Sequence, residues 1–374
     1  MKSTWSCVLT LIITLCLSGA AHSINLVCPA TNSTYSVPGN ASASQIQNIV
    51  SGVSPGTTLV FPSGTFAITG TIFLSSGVSL QGSLNGDTVF LSQTGQSMLA
   101  ASNVSNINVC AIHFDGNING GSQNPNGAAI FVERSSTNIH ITYNLFTNNA
   151  SETDLTMFNS DYVFFQGNAS NGPNEFQPVN IWITDGQRHG NIYITDNLFA
   201  YWRRNAVEGG EGNGLGAPLI DWHVDRNAFI EDAGVSFAPG GQESVALYGT
   251  SLQSANNTIW GNSFAVHNGT CCWAIEIWMP STSIEQNITS NLLTGVSVSR
   301  CPGCEIENNA FNNYNTTYNG APLNQDGGYD HTEWVGSNVW NGNWVQGWPA
   351  DNYFAAHTYG AQPPVNQPSP PFFQ

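Results

Sequence analysis

Apolar and polar residues alternate in short runs along this chain, and the runs return at nearly regular intervals. Ile107 and Val109, Ile139 and Ile141, and Ile192 and Ile194 each sit two apart, in 106–109, 138–141 and 191–194, and Cys304-Glu305-Ile306 opens a later copy. A period of two marks a strand with one face in the core and one in solvent. Most copies close with Asn-x-Phe, as in Asn144-Leu145-Phe146, Asn197-Leu198-Phe199, Asn227-Ala228-Phe229, Asn262-Ser263-Phe264 and Asn309-Ala310-Phe311. Asn168, Asn291 and Asn338 fill the same slot in weaker copies. From Asn144 to Asn338 the spacings are 24, 29, 30, 35, 29, 18 and 29 residues. A strand-based, helix-poor repeat of that length predicts a solenoid. The repeated Asn suits a corner, where it tolerates left-handed backbone and hydrogen-bonds along a stack. The Phe beside it reads as core.

A second strand precedes the Asn-x-Phe strand in each repeat, in 129–133, 155–158, 180–184, 206–208, 234–237, 274–278 and 295–298. Alternation turns Ile130, Ile181, Val207, Val235, Ile275 and Val296 inward. It sends Phe131, Thr156, Trp182, Glu208, Ser236, Glu276 and Ser297 outward as one column, with turns about 4.8 Å apart. Residues 44–53 form the one helical stretch, with Ile46, Ile49, Val50 and Val53 on one side. A helix ahead of the first strands predicts a cap over the end of the coil.

The helix, the Pro55-Gly56 turn and the segments LVFPSGTF, GVSLQGS and AIHFDGN resemble the opening turns of the pectin lyase-like superfamily. The likeness runs over roughly residues 40 to 345. It implies an all-β fold, a single-domain right-handed parallel β-helix (solenoid) with a short N-terminal capping helix. It implies no single activity, because hydrolases, lyases, epimerases and non-catalytic adhesion proteins share that fold.

Composition narrows the partners. Charged residues are 8% of the chain and the formal net charge is −17. The first 23 residues read as a secretion signal, with Lys2 as the positive end and Ala21-His22-Ser23 as the cleavage site. Its removal leaves no lysine and six arginines. Nucleic acid is a poor partner for such a chain, because phosphate binding needs clustered cations. No segment is apolar for long enough to span a membrane. The expectation is a secreted, extracellular monomer: signal 1–23, β-helix domain 24–360 and a Pro-rich tail 361–374. Residues 24–42 read as irregular, and 341–359 as a segment wrapping back over the last turn.

Six cysteines remain after the signal, Cys28, Cys110, Cys271, Cys272, Cys301 and Cys304, an even number that predicts disulfides in an exported chain. Cys271/Cys272 and Cys301/Cys304 lie about one repeat apart, which predicts a bridge between the two groups. Nine Asn-x-Ser/Thr sequons, at Asn32, Asn40, Asn103, Asn149, Asn168, Asn256, Asn268, Asn287 and Asn315, offer glycan acceptors.

The candidate chemistry lies on the outward column. Glu208 and Glu276, two turns apart, are the expected acid/base pair of a glycoside hydrolase, with backbones about 10 Å apart. Trp182 and Trp278 offer flat faces for the C–H side of a sugar ring. Asp221, His223 and Asp225 alternate with Trp222 and Val224, so a histidine lies between two carboxylates, and His223 and Asp221 are expected to modulate the pair. Tyr193 and His140 share the outward column of His223 and join Arg204 as expected substrate contacts. An ion-pair network linking Arg203, Arg204 and Arg226 to Glu208, Asp225 and Asp232 is the structural alternative. No metal ligand is assigned, although Ca²⁺ at clustered carboxylates, or in the loop from Asp326 to His331, stays open.

Three functions follow. The first is a secreted polysaccharide-degrading glycoside hydrolase. The second is a uronate lyase, in which an Arg or His base removes the α-proton and Ca²⁺ stabilises the developing charge. The superfamily's lyases imply an Arg or Lys base, and this chain has no spare lysine. The familiar polygalacturonase set is absent too: Arg188-His189-Gly190 is its nearest approach, and no Arg-x-Lys exists. The third is a non-catalytic glycan-binding solenoid.

Overall fold

A computed structural model describes residues 28, 33–117, 128–149, 153–175, 177–232, 243–267, 271–298, 301–312, 321–325, 339–345 and 348–349. The expected signal (1–23) and Pro-rich tail (361–374), the strand at 234–237, the sequons at Asn32, Asn268 and Asn315, and the loop from Asp326 to His331 lie outside these residues. Each repeat contributes one strand to each of three parallel sheets, and successive repeats stack in order. Sheet 1 has 10 described strands and contains Val179–Ile183, while sheets 2 and 3 have 12 each and contain His189–Thr195 and Leu198–Trp202. Among the described residues all strand pairs are parallel except the last, where Trp344–Val345 meets Trp348–Pro349 antiparallel. That hairpin is the described part of the segment expected to wrap back.

The core is the inside of the coil. Val179, Val207, Val245, Ile275 and Val296 pair turn by turn in sheet 1, and each is at most 1% exposed. Burying each such side chain contributes about 1.5–3 kcal/mol. Beneath sheet 3 runs a column of rings, Phe90, Phe114, Phe146, Phe165, Phe199, Phe229 and Phe264, with neighbouring centroids 4.8–6.2 Å apart. Phe165 comes from sheet 2. It fills the place left where Ser170 stands in register between Phe146 and Phe199.

The asparagines form a buried ladder at the corner between sheets 2 and 3. Asn144, Asn168, Asn197, Asn227, Asn262, Asn287, Asn309 and Asn343 each accept, through Oδ1, from the backbone N–H of the residue one turn earlier, at 2.8–3.0 Å. From Asn144 onward each Nδ2 also donates back to a sheet 2 carbonyl, as Asn227 does to Ile194 O at 2.8 Å. The ladder uses Asn287 and Asn343 where the weaker copies suggested Asn291 and Asn338, because hydrogen-bond register, not the Asn-x-Phe pattern, defines the corner. Left-handed backbone falls on the residue before each ladder Asn, such as Asp196 (φ 59°) and Arg226 (φ 55°). Asn149, Asn168 and Asn287 are at most 7% exposed and engaged in hydrogen bonds, so these sequons do not present a glycan acceptor in the folded chain.

The helix Ala43–Gly52 caps the first turn, as expected. Ser42 and Gln45 form a capping box, and Ile46 and Val50 are fully buried. Gln47 imitates a further strand: its amide accepts from Phe73 N at 2.7 Å and donates to Phe73 O at 3.1 Å, satisfying the sheet 1 edge. The supposedly irregular 24–42 contains a strand, Ser33–Ser36, that covers the sheet 2 edge by pairing with Thr57–Val60. Its polar sequence hides it, because all four residues are exposed on the outermost strand.

The disulfides join Cys28 to Cys110, Cys271 to Cys272 and Cys301 to Cys304. The expected bridge between the last two groups does not form. Cys271 opens a sheet 1 strand opposite Leu292, whereas Cys301 and Cys304 bracket the turn leading into sheet 2, so one repeat of sequence does not stack them.

Candidate active site on sheet 1

Two outward rows of sheet 1 carry the candidate chemistry. One row runs Thr156, Asn180, Glu208, Ala246, Glu276, Ser297. The other runs Phe158, Trp182, Gly210, Tyr248, Trp278. The sequence placed Trp182 in the first row, but it lies two residues further along, and Asn180 stands opposite Glu208. A two-residue slip keeps a side chain on its face, so Trp182 still points outward. Ala246, not Ser236, separates Glu208 from Glu276. The strand of that turn is Glu243–Tyr248.

Glu208, Glu276, Trp182, Trp278 and Arg204 are therefore brought together, and Tyr248 is the residue that joins them. Its hydroxyl donates to Glu276 Oε2 at 2.9 Å, and Trp278 Nε1 donates to Glu276 Oε1 at 3.1 Å. The Tyr248 ring lies parallel to Trp182 at 6.0 Å and edge-on to Trp278 at 5.7 Å. Gly210, between Trp182 and Tyr248 in register, leaves that gap open. A Cβ there would fall 1.9 Å from Tyr248 O, and the backbone is at φ 147°.

Glu208 is buried and receives three donors. Arg204 Nη2 reaches Oε1 at 3.0 Å, Asn205 Nδ2 reaches Oε2 at 2.8 Å, and Gln177 Nε2 also donates to Oε2. Asn205 Oδ1 in turn accepts from Glu243 N, tying the next turn to the site. Burial pushes the Glu208 carboxyl above the usual range, against the pull of Arg204 and Asn205, and the charge of Glu276 pushes the same way. The Tyr248 phenol is raised by burial and then by Glu276, Glu208 and Glu243, so it stays protonated and acts as a donor.

Beside these rows opens a cleft of ≈ 530 Å³, lined by Trp182, Tyr248, Trp278, Glu211, Thr250 and Leu252 among others. Sequence reasoning missed Tyr248 because its strand was placed ten residues too early. Gln177, Asn205 and Glu243 were missed because turn and strand-end polar residues carry no periodic signal.

His140, Tyr193, His223 and Asp221 lie on sheet 2 instead. His140, Phe164, Tyr193 and His223 form one outward stack, with centroids 4.3, 4.9 and 4.8 Å apart and rings nearly parallel. Stacking occupies both faces of Phe164 and Tyr193 and one face each of His140 and His223. His223 Nδ1 contacts Thr258 Oγ1 at 2.8 Å and Asp225 Oδ2 at 3.7 Å. The histidine held closely between two carboxylates is His189, with Nδ1 2.9 Å from Asp161 and Nε2 3.1 Å from Asp185. Of the anticipated ion pairs Arg204–Glu208 forms, whereas Arg226 pairs at 2.8 Å with Asp196, which the sequence had not offered. Among the described residues no group of three or more His, Cys, Asp or Glu is arranged to hold a metal ion. Among them, too, no helix is long and apolar enough to cross a membrane.

These features define a parallel β-helix with an acid row and an aromatic row side by side. No protein-family model and no curated protein matches the chain in sequence. Among solved structures it is similar to the polygalacturonase from Erwinia carotovora ssp. carotovora, at TM-score 0.60 and 12% identity, covering 93% of this chain and 100% of that one. It is also similar to ORF18 of Geobacillus virus E2, at TM-score 0.56 and 14% identity, covering 76% of this chain and 57% of that longer protein. The fold is that of the pectin lyase-like right-handed parallel β-helix proteins.

Proposed function

We propose that the protein is a secreted polysaccharide-active enzyme, a glycoside hydrolase whose acid/base pair is Glu208 and Glu276. The observation that carries this reading is the placement of two acids two turns apart in one outward row, beside a row holding Trp182, Tyr248 and Trp278. Glu208, its carboxyl raised by burial, is the general acid that protonates the departing glycosidic oxygen. Glu276, which accepts from Tyr248 and Trp278, is the partner carboxylate, activating water as base. Trp182 and Trp278 bind sugar rings, and Arg204 positions Glu208. The polygalacturonase neighbour shares the fold and is consistent with a polysaccharide substrate. His223 and Asp221, on the other sheet, take no part in this scheme.

The lyase reading places a uronate among carboxylates, while the nearby cation, Arg204, is engaged by Glu208. The hydrolase reading is tested on a panel of neutral, amino and uronic-acid polysaccharides. New reducing ends without the ultraviolet absorbance of an unsaturated uronate support it. Absorbance growth that a chelator abolishes indicates a Ca²⁺ lyase, and no turnover on any substrate leaves a binding protein.

A further inference from the structure

Glu211 takes no part in the acid row, yet it is 5% exposed and borders the cleft. Its Oε1 accepts from Thr250 N at 2.9 Å and from the Thr250 hydroxyl. Its Oε2 is buried and has no hydrogen-bond partner. A buried acceptor without a donor costs about 1–3 kcal/mol, and more when charged. Such a group persists where a ligand supplies the donor. The residues around it are aromatic and apolar, Trp182, Tyr248, Trp278 and Leu252, and among the described residues no Lys, Arg or His lines the cleft.

We infer that this cleft is a recognition subsite for a non-acidic sugar residue, whose hydroxyl or amino group donates to Glu211 Oε2 while its ring lies against the indoles. A carboxylate-bearing sugar is disfavoured there, because its charge would face Glu211 across a lining whose described residues offer no cation. An ammonium would gain both the carboxylate and the ring faces, and a neutral hydroxyl would gain the hydrogen bond alone. The inference rests on reading the sheet 1 exterior as a sugar-binding face, but it concerns binding, not cleavage.

Binding is measured by tryptophan fluorescence and calorimetry on the full chain carrying Glu208→Gln, so that no substrate is consumed. The probes are size-matched neutral, amino and uronic-acid oligosaccharides. Neutral or amino oligosaccharides are expected to bind at least tenfold more tightly than uronates. Adding Glu211→Gln, which turns the free acceptor into a donor, is expected to weaken that binding about tenfold or more. Its melting temperature should stay about level, since one buried unpartnered group replaces another. A pH dependence following the ligand amine identifies the amino sugar, and its absence identifies the hydroxyl. Uronates binding as tightly as the others would overturn the inference, as would equal affinity with and without Glu211→Gln. Failure of binding would leave the catalytic assignment to stand on its own assay, and failure of catalysis would leave the binding result intact.

Discussion

The Tyr248 hydroxyl donates to Glu276 from the preceding turn at 2.9 Å, so the proposed base is held by a residue of a neighbouring repeat. Tyr248→Phe keeps the ring against Trp182 and removes that donor. A hydrogen bond to a charged group is worth about 1.5–3 kcal/mol. Turnover is expected to fall roughly tenfold to a hundredfold, with the circular dichroism spectrum unchanged.

Glu208→Gln removes the proposed acid. A positioned general acid contributes about 10²–10⁴-fold, and a loss in that range is expected in kcat. Activity within a few-fold of the native chain would reject the assignment.

Arg204 lowers the Glu208 carboxyl, so Arg204→Gln lets it rise further. The acid must be protonated to act. The alkaline limb of the pH–rate profile is therefore expected to move to higher pH, read from kcat/KM across the pH range. A limb that stays in place or moves down would contradict the role of Glu208.

Asn227→Ala interrupts the corner ladder. It removes the acceptor of Asn197 N and the donor to Ile194 O, both buried. A loss of about 3–5 kcal/mol is expected in urea unfolding, because each orphaned group costs about 1–3 kcal/mol.

His189 gives the stability a pH dependence. Burial opposes its charge, but the hydrogen bonds and charges of Asp161 and Asp185 prevail, and its pKa is raised in the folded state. The folded chain therefore holds this proton more tightly than the unfolded one. The stabilisation is fully present below the unfolded value of about 6.5 and is lost as pH rises through the raised folded value. Melting temperature is expected to drop across that window in the native chain and to stay flatter in His189→Gln.

The repeats, the capping helix and the inward valines and isoleucines were legible because burial imposes a period of two, and the corner imposes asparagine whatever the turn length. Glu208 and Glu276 stood out as acids on that period in a chain with little charge. The position of Trp182 opposite Gly210, and of Tyr248 between the two tryptophans, was not legible. Loops of unequal length separate the sheet 1 strands, and only hydrogen bonding between turns decides which residues meet. The same applies to the cysteines, whose spacing suggested a stack that the coil divides between a sheet 1 strand and the turn into sheet 2. Local alternation thus determined which face each side chain takes. Tertiary register decided its neighbours, and with them the acid row, the aromatic row and the free oxygen of Glu211.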